Sequence, residues 1–127
     1  MQACQVMIST KADGTGNEII REGEMDIFPR SAHLVYREEN ALVKLSLHDA
    51  KAEIVREGDY TLSLFLESGK TTKGTIGING NNGEILTKTH AVEYKIAENY
   101  VVTRLAYDLL IGTEKQEMEL RLLAKIK

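Results

Sequence analysis

Apolar and polar residues alternate with a period of two through most of this chain. The pattern is plainest at Leu62, Leu64 and Leu66, at Leu105, Tyr107, Leu109 and Ile111, and at Met118, Leu120, Leu122 and Ile126. Such alternation turns successive side chains toward a core and toward water, as in a half-buried β-strand. Weaker runs of the same period lie at 2–10, 18–28, 33–38, 42–48, 51–57, 72–79 and 84–98. Turn formers separate them: Asp13-Gly14, Asn40, Asp49, Gly58-Asp59, Ser68-Gly69, the stretch from Gly80 to Gly83, and Gly112. Together these signals predict up to ten short strands with tight connections.

The segment from Lys115 to Lys127 is rich in Glu, Lys, Leu, Met and Ala, all good helix formers. Period decides for a strand. Met118, Leu120, Leu122, Ala124 and Ile126 fall on one strand face opposite Glu117, Glu119, Arg121 and Lys125, whereas a helix would mix Glu119 and Arg121 into the core. Short connections favour a meander, and closing the meander removes both exposed sheet edges. The expected fold is all-β, a single antiparallel meander barrel of about eight to ten strands. The lone proline, Pro29, and the absence of any low-complexity tract make residues 1–127 one domain.

Glycine recurs at every third position in Gly74, Gly77, Gly80 and Gly83. Collagen would need the period to persist with abundant proline, and a dinucleotide fingerprint needs a different spacing that opens a helix. Asn79-Gly80 and Asn82-Gly83 instead read as hairpin chemistry between the strand carrying Ile76 and Ile78 and one beginning at Ile85. Gly74 and Gly77 then lie inside a strand, where glycine marks a bend or a close approach as a barrel coils shut. Gly69-Lys70-Thr71 copies the second half of a P-loop, but Leu64 stands where the first half needs glycine, so it reads as a hairpin turn.

Composition narrows the classes. Hydrophobic residues at 43% and charged residues at 28% suit a globular domain. The 16 basic and 19 acidic residues are scattered, with no basic block to meet a row of phosphates, so nucleic acid is not an expected partner. No segment approaches the roughly 18 apolar residues of a membrane span, and the N-terminus lacks the pattern of a secretory signal. One cysteine, Cys4, and no asparagine glycosylation triplet agree with a cytoplasmic location. His33, His48 and His90 are far apart and match no metal or nucleophile motif, so neither a metal nor a cofactor is expected.

Four polar residues share strand faces with apolar ones and are expected to point inward. Arg56 follows Ala52 and Ile54, His90 and Tyr94 flank Val92, and Tyr107 lies between Leu105 and Leu109. A barrel of about eight strands can hold one small ligand, oriented by a few polar groups on an apolar wall. The competing reading has Arg56 covering the barrel end with its aliphatic stem, and Tyr and His satisfied locally.

The Arg56-Glu57-Gly58 corner, the Thr- and Gly-rich run from Thr72 to Thr89, and Leu105-Ala106-Tyr107-Asp108-Leu109 with Gly112 resemble the small bacterial YwiB-like proteins. That family is classed as a domain of unknown function. The resemblance implies a lipocalin-like, calycin-type barrel over nearly the whole chain and supplies no catalytic residues.

Three functions follow as expectations. The first is a non-enzymatic barrel binding a small apolar or amphipathic ligand inside, through Arg56, Tyr94, Tyr107 and His90. The second is a structural or interaction module with a solid core, a homodimer for which exposed Phe65 is the only hint. The third is an enzyme, which would require His90 to meet a carboxylate at hydrogen-bonding distance.

Overall fold

A computed structural model describes residues 1–127 as ten strands with no helix. In chain order they are β1 (Gln2–Ala12), β2 (Thr15–Ile27), β3 (Ser31–Glu38), β4 (Ala41–His48), β5 (Lys51–Gly58), β6 (Tyr60–Glu67), β7 (Thr71–Ile78), β8 (Asn81–Ile96), β9 (Tyr100–Ile111) and β10 (Glu114–Ile126). Each strand pairs antiparallel with its neighbours in sequence, and β1 pairs with β10 from Cys4↔Ile126 to Ala12↔Met118. The result is a closed up-and-down barrel with no free edge. The ambiguous C-terminal segment is a strand, because pairing with both β1 and β9 outweighs its helical propensity.

Tight turns join the strands. Asp13-Gly14 and Asn79-Gly80 have φ of 50° and 83°, and of 52° and 80°, the paired positive values of type I′ hairpins. The second of these corrects the sequence reading: Ile78 pairs with Asn81, so β8 begins at Asn81, and Asn82 and Gly83 are strand residues opposite Gly77 and Ile76. Gly69, at φ 80°, sits in the turn between β6 and β7, where Lys70 Nζ pairs with Glu67 at 2.8 Å. The Gly-Lys-Thr fragment is thus a hairpin.

Inward-facing side chains from every strand except β7 pack into a core inside the barrel. Twenty buried residues form one cluster, including Cys4, Val6, Met25, Leu34, Leu47, Leu64, Leu66, Ile85, Leu105, Leu122 and Ala124. Gly74 lets β7 press against β6, since a Cβ there would overlap the Ser63 carbonyl oxygen. One rim of the barrel carries both chain termini and the turn at Asp49-Ala50; the opposite, distal rim carries the turns at Asp13-Gly14 and Asn79-Gly80.

Candidate functional site

The four polar residues expected inside do not converge on one site. Arg56 lies at the distal rim with its side chain 13% exposed. Its guanidinium stands 2.8 Å from Asp59 and 3.8 Å from Glu38, donates to the Tyr60 carbonyl at 2.9 Å, and sits 3.8 Å from the centre of the Tyr60 ring. The Arg56 hydrogen bond holds the Asp59 carboxyl below its usual range. Tyr107 is buried, and burial pushes its hydroxyl up to about 12, with Tyr60 adding to the effect. Burial, Glu38 and Tyr107 likewise raise the Tyr36 hydroxyl. Tyr94 reaches the terminal rim, where its hydroxyl accepts from the Ala50 N–H at 3.0 Å.

Between these rims the interior offers few polar atoms. Thr103 donates to the Glu93 carbonyl at 2.8 Å, while the buried Thr87 and Thr89 hydroxyls have no partner. Cys4 is fully buried, and burial together with Glu22 raises its thiol, which disfavours the reactive thiolate. The principal cavities open to the outside rather than into the barrel.

His90 does not face inward. Thr89 pairs with Tyr107 and Ala91 with Ala106, so His90 is the extra residue of a β-bulge that resets the alternation of β8. Ile85, Thr87 and Thr89 point inward before the bulge, and Val92, Tyr94 and Ile96 pack against the core after it. Counting by twos from Tyr94 back to His90 therefore reaches the wrong face. The ring, 50% exposed, lies on the outer surface with Nε2 2.9 Å from Asp108 Oδ2. Asp108 is only 8% exposed although it occupies the outward side of β9, and Lys115 Nζ lies 3.8 Å from the same oxygen.

A second outward feature runs across four strands. Ile20 on β2 pairs with Met7 on β1, Met7 with Leu123 on β10, and Leu123 with Val102 on β9. Ile20 is 59% exposed, and Met7 and Val102 each 42%. They floor an open groove of about 790 Å³. Charged rows border it: Glu18, Ser9, Arg121 and Arg104 on one side, and Glu22, Gln5, Lys125 and Tyr100 on the other. Phe65, 48% exposed on β6, lies on the far side of the barrel from this row.

Neither Asp108 nor the apolar row was singled out from the sequence, although both left a signal. Val6-Met7-Ile8, Ile19-Ile20, Val101-Val102 and Leu122-Leu123 each break the alternation with consecutive apolar residues. Register aligns these breaks into one row. Asp108 is a carboxylate inside Leu105–Ile111, a run otherwise apolar on both faces.

Comparisons agree with this architecture. A family model described as a domain of unknown function (DUF1934) matches residues 4–122. The crystal structure of the ywiB protein from Bacillus subtilis superposes with a TM-score of 0.86 at 15% sequence identity, covering 99% of this chain and 92% of that one. At that identity the likeness concerns the fold alone. No curated protein matches the chain.

Proposed function

Starting from a chain that belongs to the DUF1934 family of unknown function, we propose that it is a cytoplasmic interaction module that self-associates through the outer face of β2, β1, β10 and β9. The carrying observation is the exposed apolar row Ile20–Met7–Leu123–Val102, bordered on both sides by charge. An apolar strip rimmed by polar residues is the usual anatomy of a protein contact. The apolar cluster inside the barrel favours an outward function over a polar ligand site within. No helix is long and apolar enough to cross a membrane. The charged rows on the outer face, around an apolar core, are the reverse of a membrane barrel's arrangement.

Charge selects the partner and its orientation. A two-fold axis parallel to the strands, midway between β1 and β10, sets Met7 against the partner's Leu123, Ile20 against the partner's Val102 and Glu18 against the partner's Arg104. An axis perpendicular to the strands would oppose Glu18 to the partner's Glu22 and Arg121 to the partner's Lys125, which is repulsive. The parallel axis also gives the aligned packing common between sheets.

Four strands and three side-chain rows make a face of about 20 by 20 Å. That is small for a protein interface and corresponds to a weak, reversible dimer. Sedimentation velocity over a range of concentrations tests the reading. The wild type should shift toward a dimer as concentration rises, and Met7→Glu should remain a monomer while melting at an unchanged temperature.

A further inference from the structure

The depression beside Asp108 adjoins the proposed dimer face through the Glu119 pairs with Arg104 and Arg121 but is lined by other residues and has a chemistry of its own. Burying a carboxylate is costly unless cations and hydrogen bonds surround it, and a strand's outward side is where a carboxylate would ordinarily be solvated. Here the chain instead places an extra residue in β8 and aims it at the acid. Bulges that redirect a side chain are over-represented next to functional sites. Lys88, His90, Asp108, Lys115 and Lys11 lie around an open depression of about 460 Å³, a volume that suits a small molecule.

A carboxylate oxygen 2.9 Å from Nε2 favours the tautomer in which Nε2 donates to Asp108, which leaves Nδ1 without a partner in the fold. The surrounding charges are unequally matched. Glu119 is paired with Arg121 at 3.0 Å and with Arg104 at 3.1 Å, Arg104 being shared with Glu93 at 2.6 Å, while Lys115 is shared between Glu117 at 3.6 Å and Asp108 at 3.8 Å. Lys11 and Lys88 line the same depression and take part in no ion pair, so that Asp108, Glu117, Glu119 and Glu93 are outweighed by Lys11, Lys88, Lys115, Arg104 and Arg121 and the unmatched charge is positive.

We propose that this depression binds the phosphate group of a small molecule. Lys11 and Lys88 supply the charge, and His90, held by Asp108, donates from a protonated Nδ1. Binding then takes up a proton at His90, and the ring becomes an imidazolium bridging Asp108 and the phosphate. The groups that face it and modulate this titration are Lys11 from β1, Lys88 from β8, Asp108 from β9, and Lys115, Glu117 and Glu119 from β10.

Side-chain nitrogen NMR of the three histidines, titrated with inorganic phosphate, tests the proposal, with His33 and His48 as internal references. The expected result is a saturable shift at His90 alone. Lys11→Ala and Lys88→Ala should each weaken binding on the order of fivefold while melting as the wild type does. Equal shifts at all three histidines, no shift at His90, undiminished binding in both lysine variants, or tighter binding of acetate than of phosphate would each overturn it. Because the readout is local to β8, Met7→Glu monomers should give the same titration.

Discussion

The Tyr94 hydroxyl accepts a hydrogen bond from the Ala50 N–H at 3.0 Å, tying β8 to the β4–β5 turn across the terminal rim. Ala50 has φ of 59°, a left-handed conformation unfavourable by about 1–2 kcal/mol for a residue with a side chain. Tyr94 thus ties a strained turn to β8 at one end of the barrel.

Two substitutions separate the bond from the strain. Tyr94→Phe should lower stability by about 1 kcal/mol, the net value of one hydrogen bond. Ala50→Gly should raise it by a similar amount, since glycine adopts positive φ without that penalty. Urea unfolding of the two variants measures both. Equal stability of Ala50→Gly and the wild type would show that the turn stores no strain.

The run of four glycines makes a sharper contrast. Gly74→Val should cost about 3 kcal/mol or more, because its side chain collides with the Ser63 backbone. Gly83→Ala should be nearly neutral, since its Cβ would lie 3.7 Å from Ile76 Cγ2 in ordinary contact. Thermal melting distinguishes the two, and a Gly74→Val protein that melts like the wild type removes close β6–β7 approach as the reason for that glycine.

The near-complete legibility of the barrel has a simple cause. Where strands are half-buried, their period is written in side-chain polarity, so β6 with Leu62, Leu64 and Leu66 could be read directly. The hairpin at Asn79-Gly80 is legible within a few residues, but the start of β8 is not, because Asn81, Asn82 and Gly83 are exposed and carry no apolar alternation. Bulges and cross-strand neighbours depend on pairing, which no single strand records. For that reason counting by twos puts His90 on the inner face, and nothing within β8, β9 or β1 taken singly links His90 to Asp108 or Met7 to Val102.

Buried tyrosines set an alkaline limit. Tyr107 ionises near 12 in the folded chain and near 10 when unfolded, so the neutral hydroxyl's contribution is complete below about pH 10. It is then lost as pH rises from about 10 toward 12, a decline of about 3 kcal/mol. Tyr107→Phe should flatten that decline in unfolding curves collected across this range. An unchanged slope would mean that the hydroxyl reaches solvent.

Acid acts at the distal rim through Asp59, whose carboxyl is held down by the Arg56 hydrogen bond. A depressed carboxyl contributes stability that is present above its unfolded value near 3.9 and lost as pH falls through its lower folded value. Arg56→Met keeps much of the aliphatic stem but removes the charge. It should weaken the acid dependence below about pH 4 and leave the dependence above about pH 6 unchanged. Parallel melting curves for Arg56→Met and wild type throughout the acid range would contradict this linkage.

Self-association through the apolar row is tested most directly by exchanging the two charges that the two-fold axis brings together. Sedimentation velocity would compare the wild type with Glu18→Arg, Arg104→Glu and the double variant, with melting temperatures recorded for each. The account predicts that Glu18→Arg abolishes dimer formation by setting like charges against each other and that the double variant restores it, while Arg104→Glu also breaks the pairs with Glu93 and Glu119 and melts at a lower temperature. Dimerisation unaffected by either single change, or not recovered in a folded double variant, would contradict it.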